Sequence, residues 1–154
     1  MIAHRGASAM APENTLEAFR VAVEAGADMI ETDAHLAHDG SIVLIHDAEL
    51  GRTTNCAGSV SATGMADLRA CDAGYWFAFG ETRGHPYRGL GLRVPTLDDA
   101  FELLESLGCA TLVNVEIKNL PGEIGFDPSE RLAATLVDRL RALGAIERVI
   151  VSSF

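Results

Sequence analysis

The sequence predicts an α/β fold built on parallel strands, either an α/β barrel or a doubly wound sheet. Short apolar strands alternate with helices of the length needed to cover them, in the order β-α-β-β-(insert)-α-β-α-β. Several strands also finish in polar residues of the same parity, the arrangement expected where a parallel barrel gathers its chemistry.

Each element has a local reason. Ile2-Ala3 is an apolar stub running into His4-Arg5-Gly6. A helix is expected from the Pro12-Glu13-Asn14-Thr15 opening, with Asn14 as cap, Glu17 in the capping-box position and Leu16, Phe19 and Val23 in period, up to Gly26. Asp28 to Leu36 reads as a strand, Asp39-Gly40 as a tight turn and Ile42 to Ile45 as a buried strand ending at His46-Asp47. That turn makes the second and third strands look antiparallel, at odds with an all-parallel sheet.

Residues 48–63 read as loop, followed by a short helix at 65–69. Residues 72–94 are irregular, with Tyr75-Trp76-Phe77 expected as local core and His38 and His85 as exposed loop residues. Pro95-Thr96 opens a helix with Leu97, Phe101, Leu104 and Leu107 on one face, closed by Gly108. Thr111 to Ile117 is the next strand. Asp127-Pro128 is expected to cap a helix reaching Leu143, and 148–153 to form a fifth strand cut off at Phe154.

Composition narrows the function. The 154 residues are 48% hydrophobic and 22% charged, enough to bury a single core and too apolar for disorder. A formal net charge of -10 argues against nucleic acid or an anionic membrane surface as main partner. No apolar run approaches the ~20 residues of a membrane span, and residues 1–11 hold no signal-peptide pattern. Cys56, Cys71 and Cys109 are odd in number and show no partner pattern. They are therefore expected as packing residues in a reduced, by default cytoplasmic, compartment.

The chemistry sits at the strand ends: His4, then Glu31 and Asp33, then His46, then Asn114, Glu116 and Lys118. Alternate strand residues share a face, so Glu31 points with Asp33 and Glu116 with Lys118. Three converging carboxylates must take up protons or a cation. All-oxygen ligation by Glu31, Asp33 and Glu116 suits a hard divalent cation, Mg²⁺ or Ca²⁺. The competing reading pairs these carboxylates with Arg5 and Lys118 as structural ion pairs. His4 and His46 suit acid–base work near neutral pH, and Arg5 and Lys118 supply charge for a phosphate. His35 shares the face of Glu31 and Asp33 and is expected to shape the rim.

The run from His4-Arg5-Gly6 to Pro12-Glu13-Asn14-Thr15 resembles the signature of the glycerophosphodiester phosphodiesterase family. Further blocks match in order: Glu31-Thr-Asp33; Asp39-Gly40; His46-Asp47 with Leu50, Arg52, Thr53 and Thr54; Asp72-Ala73-Gly74-Tyr-Trp76-Phe77; Pro95-Thr96-Leu97; and Asn114-Val-Glu116-Ile-Lys118. The resemblance implies a TIM-type (β/α)8 barrel with a small insertion after the third strand, about 48–94. It also implies cation-dependent hydrolysis of glycerophosphodiesters to glycerol 3-phosphate and an alcohol. By position, Glu31, Asp33 and Glu116 would hold the metal, His4 and His46 would be the acid–base pair, and Arg5 and Lys118 would steady the phosphate. Analogy makes His4 the base and His46 the acid.

A closed eight-stranded barrel needs ~250 residues, so about five strands are expected here, as the N-terminal part of a barrel weakly active or inactive alone. Two other functions stay open: a phospholipase-type phosphodiesterase acting on lysophospholipids or phosphatidylinositol, and a non-catalytic phosphate- or metal-binding derivative.

Overall fold

In the computed structural model, which describes residues 1–80 and 84–153, the sheet is organised by parallel register. Its strands in chain order are β1 (Ile2–His4), β2 (Met29–Leu36), β3 (Ile42–Leu44), β4 (Leu112–Ile117) and β5 (Val149–Ser152). The helices are α1 (Leu16–Glu24), α2 (Met65–Leu68), α3 (Leu97–Ser106) and α4 (Arg131–Ala142). β1, β2, β4 and β5 lie side by side in that order, each parallel to its neighbour. Helix crossovers join these parallel strands, the arrangement of the N-terminal part of a (β/α)8 barrel. Phe154, where the sequence ends the fifth strand, lies outside the described residues.

β3 resolves the conflict seen in the sequence. It runs antiparallel to β2, with Ala34, His35 and Leu36 opposite Leu44, Val43 and Ile42. Met29 to Ala34 pair with β4, so β2 begins in the parallel array and its far end departs into a hairpin. The antiparallel look that the turn gives these two strands is therefore the arrangement found, and the all-parallel pattern does not extend to β3. The Asp39-Gly40 turn reverses the chain directly, leaving no room for a crossover helix.

The main core lies between helices and sheet. Phe19 and Ala22 of α1, Leu97, Phe101 and Leu104 of α3, and Leu132, Leu136 and Leu140 of α4 bury against Ile30, Ala34, Val113 and Val115. The four-residue spacing along α4 is one helical stripe. The sheet residues in this core alternate with Glu31, Asp33, Asn114 and Glu116, so the polar set occupies the opposite face.

Two helix starts differ from expectation. Thr15, not Asn14, caps α1 by accepting from the Ala18 amide, and Glu17 pairs with Arg20. α4 starts at Arg131 behind Glu130, which has no side-chain cap bond. Asp127 is instead used in a turn, accepting from Ser129 N at 2.9 Å, with Asn119 bonded to its backbone. By contrast, α3 opens as expected, with a reciprocal capping box between Thr96 and Asp99.

A separate small core gathers Val43, Ile45, Leu50, Val60, Leu68, Cys71, Ala73 and Val94. Here the expectation for the cysteines is corrected: Cys56 and Cys71 form a disulfide, while Cys109 is free. Their 15-residue separation hid the pairing, because the fold, not the spacing, brings the Cα atoms to 5.7 Å. The bond removes the basis for inferring a reduced compartment. The aromatic run is also corrected. Trp76 is 49% exposed, donates from Nε1 to Thr54 O, and has the Arg88 guanidinium 5.2 Å from its ring centroid. His85 is half-buried, its Nδ1 bonded to Phe77 O, whereas His38 is exposed as expected.

Candidate active site

Register builds the site. β1 sets His4 opposite Glu31, and β4 sets Asn114 opposite Glu31 and Glu116 opposite Asp33. Residues far apart in sequence thereby stand in two adjacent rows at the strands' C-terminal ends. One ligand oxygen each from Glu31, Asp33 and Glu116 lie within 4.8 Å of one another.

The cluster is buried and incompletely satisfied. Glu31 and Asp33 are 7% and 0% exposed. Glu31 Oε2 accepts from the Arg5 amide at 2.8 Å, and Asp33 Oδ2 accepts from Asn14 Nδ2 at 2.8 Å. Among the described residues, Glu31 Oε1 and Asp33 Oδ1 receive no hydrogen bond. Burial, reinforced by the charges of Asp33 and Glu116, raises the Glu31 carboxyl above its ordinary value, although the Arg5 amide opposes it. A buried acceptor without a donor, as at Glu31 Oε1, is costly, and an all-oxygen set with such an open oxygen fits a hard divalent cation.

Two cations border the carboxylates. Lys118 Nζ donates to Glu116 Oε1 at 2.6 Å and stands 3.3 Å from Asp33 Oδ1. Burial acts to lower the Lys118 ammonium, but Glu116 and Asp33 outweigh it and the net shift is upward. Arg5 Nε lies 3.4 Å from Asp33 Oδ2, and Arg5 Nη1 donates to Glu13 Oε1 at 3.0 Å. The structural ion pairs weighed from the sequence therefore exist, yet they leave part of the cluster unsatisfied.

The histidines differ. The His4 side chain is 67% exposed, with Nε2 3.8 Å from Glu31 Oε2. His46 is half-buried and its Nδ1 is 2.6 Å from Asp47 Oδ1, an acceptor that fixes Nδ1 as the donor. Buried His35 bonds through Nε2 to His46 O at 3.0 Å, tying down the backbone there and shaping the rim. Burial lowers its imidazole below the ordinary value.

Sequence reasoning missed Asn14 in this setting. It is 2% exposed with φ 54°, and its Oδ1 accepts from Thr32 Oγ1 at 2.7 Å and Asp33 N at 3.3 Å. A left-handed asparagine fits this post better than a cap, since both ends of its amide are used. Gly6 holds the same loop close. Its φ is +76° and an added Cβ would stand 2.8 Å from the Ala18 backbone. The shared Pro12-to-Thr15 block was the only sequence signal for Asn14.

A cavity of about 190 Å³ opens beside the site, lined by Glu13, Arg52, Trp76 and Phe77 among others. Another of about 400 Å³ is bounded by His46, Lys118 and Glu123.

A family model described as the Glycerophosphoryl diester phosphodiesterase family matches residues 4–154. A glycerophosphodiester phosphodiesterase of Caldanaerobacter subterraneus subsp. tengcongensis is 40% identical over 154 residues, covering 100% of this chain and 57% of that protein. A Bacillus subtilis glycerophosphodiester phosphodiesterase is 37% identical over 158 residues, covering 99% and 51%. Among solved structures, an Oleispira antarctica phosphodiesterase in complex with the product sn-glycerol-3-phosphate has TM-score 0.82 and 34% identity, with 99% of this chain and 56% of that chain covered. The corresponding domain of a Mycobacterium tuberculosis protein has TM-score 0.84 and 28% identity, with 99% and 51% covered. The chain thus spans about half the length of the relatives it matches.

Proposed function

Because the chain belongs to the glycerophosphoryl diester phosphodiesterase family, we propose that it carries the metal and acid–base half of a glycerophosphodiester-hydrolysing site. The observation that carries this reading is the buried, unpartnered Glu31 Oε1 in a cluster with Asp33 and Glu116, with His4 Nε2 3.8 Å from Glu31 Oε2. Glu31, Asp33 and Glu116 would hold Mg²⁺ or Ca²⁺. Bound there, the cation would polarise phosphoryl oxygens and offset the carboxylate charge.

The chain's own groups supply the rest. Arg5 and Lys118 bind the substrate phosphate, Lys118 keeping its proton at neutral pH because Glu116 and Asp33 surround it. His4, exposed and free to turn, takes the proton from the attacking hydroxyl of water or of the substrate's glycerol. His46, as the imidazolium with its Nδ1–H held by Asp47, protonates the leaving alkoxide from Nε2 and is left as the Nδ1–H tautomer. Attack by water gives glycerol 3-phosphate and the free alcohol directly, whereas attack by the glycerol hydroxyl releases the alcohol and leaves a cyclic glycerol phosphate that a water then opens to glycerol 3-phosphate. Residues 48–94 act as an insertion on the barrel, a role their separate core supports.

The test is release of choline from glycerophosphocholine with Mg²⁺ or Ca²⁺, by this chain and by a form extended to the length of its relatives. Expected is cation-dependent turnover, abolished by chelation and by His46→Ala, with cation binding intact in the variant. Cation binding without turnover in either form would leave a binding protein instead.

A further inference from the structure

Arg52 has no part in the chemistry proposed above, yet it commits four of its five N–H donors to two carboxylates. Nε and Nη2 donate to Asp47. Nη1 and Nη2 donate to Glu13 Oε2 and Oε1 at 2.9 and 2.7 Å, across 39 residues of sequence. Beyond Asp47 stands His46 Nδ1 at 2.6 Å, and beyond Glu13 stands Arg5 Nη1 at 3.0 Å. One unbroken line of hydrogen bonds thus joins a proposed acid to a proposed phosphate ligand.

Stability does not explain this line. The Arg52 side chain is 46% exposed, and ion pairs so placed contribute little to stability. Geometry does. A histidine ring rotates in a broad torsional well and has two neutral tautomers, so its carboxylate partner selects both orientation and tautomer. Asp47 is itself a short side chain beside a loop. The planar guanidinium grips both its oxygens, and Glu13 grips the guanidinium from the other edge.

We infer that Arg52 is a positioning residue: by bridging Asp47 and Glu13 it keeps the Nδ1–H of His46 on Asp47, so that Nε2 is the ring nitrogen that takes up and delivers the acid's proton, and locks that orientation to the Arg5 loop. The catalytic consequence rests on the role proposed for His46, whereas the orientation itself does not. A single lysine ammonium could not grip both carboxylates in this way, so Arg52→Lys should behave almost as poorly as Arg52→Met.

The experiment is a long-range ¹H–¹⁵N spectrum of the His46 ring in the labelled chain and its variants. Expected is one Nδ1–H tautomer in the unaltered chain and a mixture in Arg52→Met. Glu13→Gln, a milder change, should give a smaller shift of the same sign and serves if Arg52→Met does not fold. Unchanged His46 ring signals in a folded Arg52→Met or Glu13→Gln would overturn the inference. In a form that turns over glycerophosphocholine, kcat should fall roughly ten- to hundredfold at constant KM. A raised KM at constant kcat would make Arg52 a substrate contact and overturn the positioning role. If no form turns over while the tautomer still responds to Arg52→Met, the positioning stands and the hydrolase reading falls.

Discussion

Two charged groups share the C-terminal ends of the strands on opposite terms. Glu31 and Asp33 are buried, and Glu31 keeps an open oxygen while Asp33 Oδ1 has only the Lys118 ammonium at 3.3 Å. Glu13, Asp47 and Arg52 are partly exposed and almost fully hydrogen-bonded to one another. A buried charge left unsatisfied is expensive, so it marks a place for a ligand. An exposed charge well satisfied contributes little energy, so its worth is direction. Exposure and satisfaction together, rather than charge alone, separate a binding centre from the frame around it.

The largest effect expected tests what holds the frame. The Cys56–Cys71 bond closes a 15-residue separation just beyond Arg52, and loop closure of that size is worth about 3 kcal/mol. Reduction, or Cys56→Ser with Cys71→Ser, should lower stability by about that amount in denaturant unfolding. An unchanged midpoint would show that the small core of Val60, Leu68 and Val94 suffices without the staple.

The binding centre should give a slightly smaller and distinct signature. At a cation concentration about 100 times Kd, binding stabilises the fold by about 2.7 kcal/mol. Thermal unfolding after chelation, then with excess Mg²⁺ or Ca²⁺, measures this directly. Asp33→Asn should abolish the increment, whereas Arg52→Met should retain it. Loss of the increment in both variants would break the division between centre and frame.

The smallest effect is acid sensitivity of the frame. Burial raises the Asp47 carboxyl, but hydrogen bonds from Arg52 and His46 prevail and hold it at about 2, below its ordinary 3.8. Its folded-state value is depressed, so the unfolded chain binds more protons between these values. The stabilisation is therefore present above pH ~4 and lost as pH falls towards ~2. Allowing for solvent screening of a partly exposed pair, it amounts to about 1 kcal/mol. Arg52→Met should flatten this acid limb in unfolding measured between pH 5 and 2.

Much of the site was legible because strand parity is local. Glu31, Asp33, Glu116 and Lys118 follow from two-residue alternation, and the structure brings the three carboxylates together. Asn14 was misread because its sequence position suits a cap equally well. Only the fold sets it against Asp33. The Arg52 bridge was invisible for a similar reason, since no local pattern links residues 39 apart.

By itself the sequence determined the element order, the faces of the strands and the residue types at their ends, since all three depend on short-range periodicity and steric preference. Tertiary structure alone decided the Cys56–Cys71 pairing, the place of Asn14 against Asp33 and the hydrogen-bonded path from His46 to Arg5. Each depends on distances between segments remote in the chain, which are set only when the core packs and the strands lock in register.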